Sequence, residues 1–164
     1  MKNLPTLDAM YERLAGYGPE YGPSLSSHVP MVLEALDRLG RADLSEAYLS
    51  AWIPRLRGLS PKTDPELVAY PERLAEATAA VAELGPRSAL NALFLRYAPG
   101  LHGAAFHGLL RLAHAVRAVR RHDTPERLRE LSQGLAYAIA RSETPFPSHV
   151  SNGHEGFELS LIHI

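Results

Sequence analysis

Apolar positions recur every three or four residues along most of this chain, and no segment longer than a few residues alternates apolar and polar positions. The first pattern is typical of amphipathic helices, whereas alternation would indicate strands. Helix-start signals such as Thr6 and Thr124, and stop signals such as Gly40 and Gly85, divide the pattern into about seven segments. We predict helices at residues 7–14, 30–39, 44–57, 64–84, 86–97, 102–121 and 125–141, with residues 17–27 as a loop. Pro54 should kink or shorten the third helix, and Tyr70-Pro71 should interrupt the fourth. The predicted fold is therefore all-α, an antiparallel multi-helix bundle or array.

Residues 143–164 differ in character from the helical part. Two prolines precede a polar stretch, and the sequence then closes on an apolar run without a helix stop signal. We therefore divide the chain into a helical region, residues 1–142, and an irregular tail, residues 143–164, which we expect to be truncated. No segment resembles a secretory signal or a bilayer span, so we expect a cytoplasmic protein.

Composition narrows the chemistry that the chain can perform. Its 164 residues, 46% of them apolar, are enough for one hydrophobic core. The 17 basic and 18 acidic residues leave a formal charge of −1, which argues against nucleic-acid and membrane partners and favours a small molecule. There is no cysteine, so thiolate metal sites and cysteine nucleophiles are excluded. The eight histidines are the most distinctive titratable groups.

The predicted helix at residues 102–121 has a polar side. His107, Arg111 and His114 share one face, because positions i, i+4 and i+7 lie together on a helix. We expect an apolar arc on the other side to face the core: Leu109, Leu112, Ala113, Val116 and Val119. Two interpretations of the polar face stay open. It is a solvated surface, or the small residues beside the imidazoles allow a second helix or a flat ligand to approach closely.

His28 directly precedes the predicted second helix. An imidazole there can hydrogen-bond the free N–H groups of the first helical turn. It can also act as a ligand or an acid–base group that the helix start holds in place. In the tail, His149 and His154 either offer further ligands for a divalent metal such as iron or belong to a solvated segment.

Two segments together resemble the questin oxidase-like family: residues 26–40, SSHVPMVLEALDRLG, and residues 103–116, GAAFHGLLRLAHAV. Members of that family tend to carry a histidine before a helix that ends in Leu-Gly, and later two small residues followed by Phe-His-Gly-Leu. The resemblance covers roughly residues 7–142. It implies an all-helical oxidoreductase. Fungal members open the ring of anthraquinone-type polyketides by an NADPH-dependent, Baeyer–Villiger-like oxygen insertion, and some members are similar to non-haem iron enzymes.

Carried over by position, the resemblance implies roles for four residues. His28 and His107 are the implied catalytic and metal-binding residues, and Arg111 and His114 are implied to bind the cofactor. The implied cofactors are Fe(II) and NADPH, and the implied partners are an aromatic small-molecule substrate and dioxygen. We therefore expect an N-terminal fragment of an oxidoreductase or monooxygenase that is inactive alone and self-associates through an exposed face. The alternative is a non-catalytic helical interaction domain. Only the catalytic hypothesis requires the two imidazoles to converge, and to do so in a concavity.

Overall fold

Helices dominate the chain, as the sequence predicts. The computed structural model describes residues 6–22, 24–59, 67–98 and 103–142, and within them it has seven α-helices and three short strands. The helices are α1 (Leu7–Leu14), α2 (Val29–Arg38), α3 (Ser45–Trp52), α4 (Tyr70–Leu84), α5 (Pro86–Tyr97), α6 (His107–Arg121) and α7 (Pro125–Ala140). The strands are β1 (Tyr17–Tyr21), β2 (Leu25–Ser26) and β3 (Leu56–Gly58). The predicted helical fold class is confirmed.

Helix α7 is the central element of the array. Every residue from Leu131 to Ile139 is buried, because α4 and α6 pack extensively on α7, and α1 and α5 also contact it. Gly108 of α6 lies against Ala138, and Leu112 lies against Gly134, so α6 and α7 run antiparallel. This is the arrangement that their short connection predicts.

Two groups of buried apolar side chains hold the helices together. The larger belongs to α4 through α7 and includes Tyr70 and Leu135, both 0% exposed. The smaller joins α1, α2 and α3 around Leu33 and reaches α6 at Ala118. Each buried aliphatic side chain contributes about 1.5–3 kcal/mol. Because α1 also packs on α7 and α2 on α6, the N-terminal helices are fixed relative to the start of α6.

The prediction that residues 17–27 form only a loop is wrong. They contain β1 and β2, and β1 pairs antiparallel with both β2 and β3 in a sheet of order β2-β1-β3. Pro19 in the central strand lacks an N–H, but its carbonyl accepts a hydrogen bond from the Ser27 N–H at 2.8 Å. Gly18 allows a close approach, since a Cβ there would lie 3.2 Å from the Gly58 carbonyl oxygen. Short strands that contain proline and glycine do not show the strand pattern in the sequence.

The helix predicted at residues 44–57 is shorter in the structure. Helix α3 ends at Trp52, and a 3₁₀ turn at Ile53–Arg55 leads into β3. Pro54 lies in this turn, and a proline cannot continue an α-helix without losing a backbone hydrogen bond. The C-terminal third of the predicted helix is therefore a turn and a strand.

In two other predicted helices, the first described residues are not α-helical, and the α-helix begins a few positions later. Helix α4 begins at Tyr70 with Pro71 in its first turn, and the predicted start at residue 64 lies outside the described residues. Helix α6 begins at His107, after a short 3₁₀ turn at Ala104–Phe106. Its predicted start at residue 102 also lies outside the described residues.

The face that helix α6 turns to the core overlaps its predicted apolar arc only in part: Leu112 is in the core and Val116 and Val119 pack against it. Of the five residues in the predicted core arc only Leu112 is buried, and Ala113 is exposed. The buried residues of α6 are Gly108, Arg111, Leu112, Ala115 and Ala118. The small residues on this face let α6 pack closely on α7, and Glu130 of α7 neutralises Arg111. Much of the predicted core arc instead lines a groove between α5 and α6.

The tail, residues 143–164, lies outside the described residues, and so do His149 and His154. The division of the chain at residue 142 and the expected truncation stay predictions. Among the helices of the described segments, none combines the length and the apolar character that a membrane crossing needs.

Candidate functional site

His28 lies between the sheet and the start of α2. It follows β2 and occupies the N-cap position of α2, directly after the buried Ser27. Its side chain makes no capping hydrogen bond to the helix, so the interpretation of His28 as a helix cap is wrong. The imidazole instead contacts the ring of His107 at the start of α6.

A buried polar network fixes the sheet, and with it His28, on α7. Glu20 of β1 is 2% exposed, and its Oε1 accepts hydrogen bonds from the Tyr137 hydroxyl at 2.9 Å and from Arg141 Nε at 2.7 Å. The Tyr137 hydroxyl is also 2.5 Å from the Ser26 Oγ of β2. Burial raises the pKa of Tyr137 to about 12, so its hydroxyl stays protonated at neutral pH. Because Ser26 is two residues before His28, this network restricts the position of the imidazole.

His107 is the first residue of α6 and follows a strained turn. Ala104, Ala105 and Phe106 have φ angles of 50°, 51° and 65°, in the left-handed region that residues other than glycine rarely adopt. The His107 Nδ1 lies 2.7 Å from the Ala104 carbonyl oxygen. A carbonyl oxygen only accepts hydrogen bonds, so Nδ1 carries the proton and Nε2 of the neutral ring keeps its lone pair. The turn therefore sets both the position and the tautomer of His107.

The rings of His28 and His107 lie together although 79 positions separate them in the chain (28 to 107). Their ring centres are 5.0 Å apart and their planes meet at 82°. Helix α2 runs parallel to α6, since the next contact along both helices joins Glu34 to His114. The N-termini of α2 and α6 therefore meet at the imidazole pair, and the proximity of the two rings is one of the two conditions that the catalytic hypothesis sets.

The surroundings of His28 favour its neutral form. Loss of hydration, followed by the charge on His107, lowers the pKa of His28 below its usual value, and a hydrogen bond to the Ser26 backbone acts in the opposite direction. The positive ends of the two helix dipoles favour a nearby anion. A neutral imidazole has a lone pair that accepts a proton or binds a metal. Because His28 is exposed and His107 is half-buried, a ligand can reach the pair from solvent.

The distance between the two ring centres is compatible with two ligands of one metal ion. A metal 2.0–2.1 Å from each nitrogen lies roughly 3.2 Å from each ring centre, so two ligating imidazoles have centres roughly 4.5–5.2 Å apart. The observed distance of 5.0 Å falls in this range. Aromatic rings in edge-to-face contact have centres at similar distances, so the distance agrees with both arrangements. Metal-bound histidines commonly donate their second N–H to a backbone carbonyl, as His107 does to Ala104. In the described residues no group of three or more histidines and carboxylates could hold a metal, and metal binding by the pair stays a prediction.

Arg111, predicted to bind the cofactor, is 2% exposed and contacts α7. Its Nε and Nη2 donate hydrogen bonds to the two Glu130 oxygens at 2.8 and 2.9 Å, and Nη2 also donates to Gln133 Oε1 at 3.0 Å. Burial alone would lower the pKa of Arg111, but the charge and hydrogen bonds of Glu130 raise it above its usual value. Arg111 thus holds α6 on α7, and its role in cofactor binding stays a prediction.

His114 contacts α2 through a carboxylate that the sequence analysis does not single out. Its Nδ1 is 2.6 Å from Glu34 Oε2, and Arg117 Nη2 donates to the same oxygen at 3.1 Å. Glu34 is only 1% exposed. The sequence does carry a signal for it, since Glu34 is the single charged residue in the apolar run at residues 29–36. The role of His114 in cofactor binding stays a prediction.

No family model, curated protein or solved structure matches this chain. The fold is a helical array, and its candidate site is a pair of imidazoles at the point where the N-termini of α2 and α6 meet. A functional assignment therefore depends on this geometry together with the family resemblance of the two segments that supply the histidines.

Proposed function

We propose that this chain is part of a questin oxidase-like oxidoreductase that acts on aromatic polyketide or quinone-like substrates, with His28 and His107 at its active site. One observation carries the proposal. The two segments that resemble the family are far apart in the sequence, and each contributes one imidazole to the same 5.0 Å ring pair. A solvated helical domain would not need to bring these two side chains together.

The proposed metal is a divalent ion such as iron(II), held by His28 and His107. Bound iron would supply open coordination positions for dioxygen and a substrate oxygen. Two imidazoles are an incomplete ligand set, so water or substrate would fill further positions and the affinity of this chain alone would be weak. NADPH, the reductant that the resemblance implies, belongs to the proposal, but no step is assigned to Arg111 or His114 because Glu130 and Glu34 already engage them.

The residues of the chain also suit a phenolic substrate without reference to a metal. The Nε2 lone pair of His107 can accept a proton from an aromatic hydroxyl. The helix N-termini at the pair stabilise the phenolate that results. Phe106 and Leu110, 54% and 50% exposed, lie next to His107 and three residues after it, and offer apolar surface to a planar ring. This site would therefore bind and ionise a hydroxylated aromatic ring.

Anaerobic titration calorimetry of the full chain with iron(II) tests the metal. We expect one weak site whose affinity falls as the pH decreases from 7.5 to 5.5, because protonated imidazole does not coordinate. His28→Ala and His107→Ala should each weaken binding at least tenfold and leave the helical circular dichroism unchanged, since neither ring lies in the core. The matched control is His122→Ala, an exposed histidine 15 residues along α6, roughly 22 Å away. Equal affinities in wild type and His107→Ala would contradict the metal proposal.

The substrate class has a separate test. A hydroxyanthraquinone absorbs at longer wavelength as its phenolate, so its visible spectrum reports ionisation in the site. We expect the bound dye to ionise at a lower pH than the free dye, and His107→Ala to reverse most of that shift while His122→Ala does not. If the chain neither binds iron nor perturbs the dye, the non-catalytic helical interaction domain becomes the better assignment.

A further inference from the structure

A groove runs between α5 and α6 on the far side of α6 from its contact with α2. It consists of two adjoining cavities of about 710 and 610 Å³ that share Leu90, Asn91 and Val116. We call this pair of cavities the α5–α6 groove. Leu131 of α7 contributes to its floor, because α7 lies beneath both helices. Such volumes are typical of small-molecule sites.

The packing of α6 explains why the groove is apolar. Its small residues and Arg111 face α7, so Leu109 and Ala113 of the predicted core arc are left partly or fully exposed, while Leu112 stays buried. Leu109 and Ala113 of α6 face Phe94 and Leu95 of α5 in the 610 Å³ cavity, and Leu95 is 72% exposed. Only Asn91 and Arg117 bring polar groups to this part of the groove. It is therefore an open apolar channel.

The other end of the groove is basic. Arg87 in the first turn of α5 and Arg120 in the last turn of α6 line the 710 Å³ cavity, and neither forms an ion pair within the described residues. Arg121 and His122 also line it; Arg121 pairs with Asp37, and Asp123 is the one acidic residue in the lining. The positive end of the α5 dipole and the negative end of the α6 dipole both lie here, so the favourable field comes from the arginine side chains. An anionic group would therefore be favoured at this end.

We propose that the α5–α6 groove binds the anion of a long-chain fatty acid, with its carboxylate at Arg87 and Arg120 and its chain along Leu90, Val116 and Phe94. The distance along α6 from Leu109 to Arg120 is about 16 Å, which suits a single extended acyl chain. Charge at one end and apolar surface along the rest match a carboxylate with one chain. A helix of a partner protein would fit this groove less well, because it would place its polar helix ends and polar side chains against the apolar channel.

Titration of the full chain with dodecanoate, below the concentration at which it forms micelles, tests this inference. Affinity should rise two- to fourfold for each methylene added from octanoate to dodecanoate, because each methylene enters the apolar channel. Dodecanol, which has the same chain without the charge, should bind at least threefold more weakly. Equal affinity for octanoate and dodecanoate, or no binding of either, would overturn the proposal.

Variants locate the two ends of the ligand. Arg87→Gln/Arg120→Gln should weaken dodecanoate at least threefold and leave dodecanol unchanged, whereas Arg57→Gln in β3 should change neither. Ala113→Trp fills the channel from an exposed position and should abolish binding, whereas Ala79→Trp on the exposed side of α4 should not. If Ala113→Trp instead dissociates a dimer in sedimentation and dodecanoate does not bind, a second copy of the chain covers the groove and the fatty-acid proposal is wrong. None of these variants alters His28 or His107, so the outcome is separate from that of the proposed function.

Discussion

Replacing Gly108 by alanine tests a very close approach of two helices, where α6 meets α7 one residue after His107. A Cβ at position 108 would lie 2.6 Å from the Ala138 Cα and 3.1 Å from its nitrogen. Non-bonded carbon atoms normally approach to about 3.5–4.0 Å. Because the opposing atoms belong to the backbone, no side-chain rotation can relieve the overlap. The two helices would have to separate.

The size of the effect follows from two opposing contributions. Overpacking of a well-packed interface costs about 1–3 kcal/mol, and a clash with backbone belongs at the upper end of that range. Alanine gains back about 1 kcal/mol, because glycine is the weaker helix former. The net loss should be about 2 kcal/mol, which corresponds to a fall in melting temperature of about 4–8 °C for a chain of this size.

Gly134→Ala is the matched comparison in the same interface. A Cβ there would lie 3.3 Å from the Leu112 Cα and 3.7 Å from the Ala115 Cβ, so the gain in helix propensity should roughly offset the tight contact. Urea unfolding followed by circular dichroism at 222 nm gives both free energies of unfolding. If Gly108→Ala proves as stable as Gly134→Ala, the backbones of α6 and α7 are not in close contact and the packing argument fails.

Three further predictions concern buried charge and the histidine pair. Arg111→Met leaves the Glu130 carboxylate buried without its partner and should lower the free energy of unfolding by about 3–5 kcal/mol. The double variant Arg111→Met/Glu130→Leu should recover most of that loss. Equal urea midpoints for the single and the double variant would contradict the prediction. Tyr137→Phe removes a hydrogen bond from a buried carboxylate of β1 and should cost about 1–3 kcal/mol by thermal unfolding, and an unchanged melting temperature would count against the network. An NMR titration should place the pKa of His28 below about 6.5, and His107→Gln should raise it only part of the way because burial is the larger cause. The pKa of His28 is lower in the folded than in the unfolded chain, so the unfolded chain takes up the proton first as the pH falls. The free energy of unfolding should therefore decrease from about pH 6.5 downwards. His28→Gln should make that decrease smaller.

The parts of the fold that follow from local signals could be predicted from the sequence. Helix α5 runs between the residues that its proline and stop signals indicate. The sheet could not be predicted, because Pro19 and Gly18 give β1 the composition of a loop and its pairing with β3 joins residues about 40 positions apart.

The buried face of α6 could not be predicted from the sequence for a related reason. A helical wheel ranks faces by apolarity, whereas the packing here depends on how closely Gly108 allows α7 to approach and on the neutralisation of Arg111 by Glu130. The residues of α7 that take part, Ala138 and Glu130, cannot be identified from the sequence of α6 alone. His28 and His107 could be singled out because each lies in a recognisable segment. Their contact, and that of Glu34 with His114, depends on the parallel packing of α2 and α6, which no local pattern encodes.

The parallel packing of α2 and α6 also has a consequence for folding. The imidazole pair closes a loop of 79 residues, for which the length-dependent entropy cost is about 4 kcal/mol, whereas α6 and α7 are joined by three residues and can pair early. We therefore expect the two rings to meet only after the α6–α7 hairpin has formed and α2 has docked on it. A spectroscopic signal from a metal on the pair would follow this late docking step in a refolding experiment, while helical circular dichroism would already have recovered.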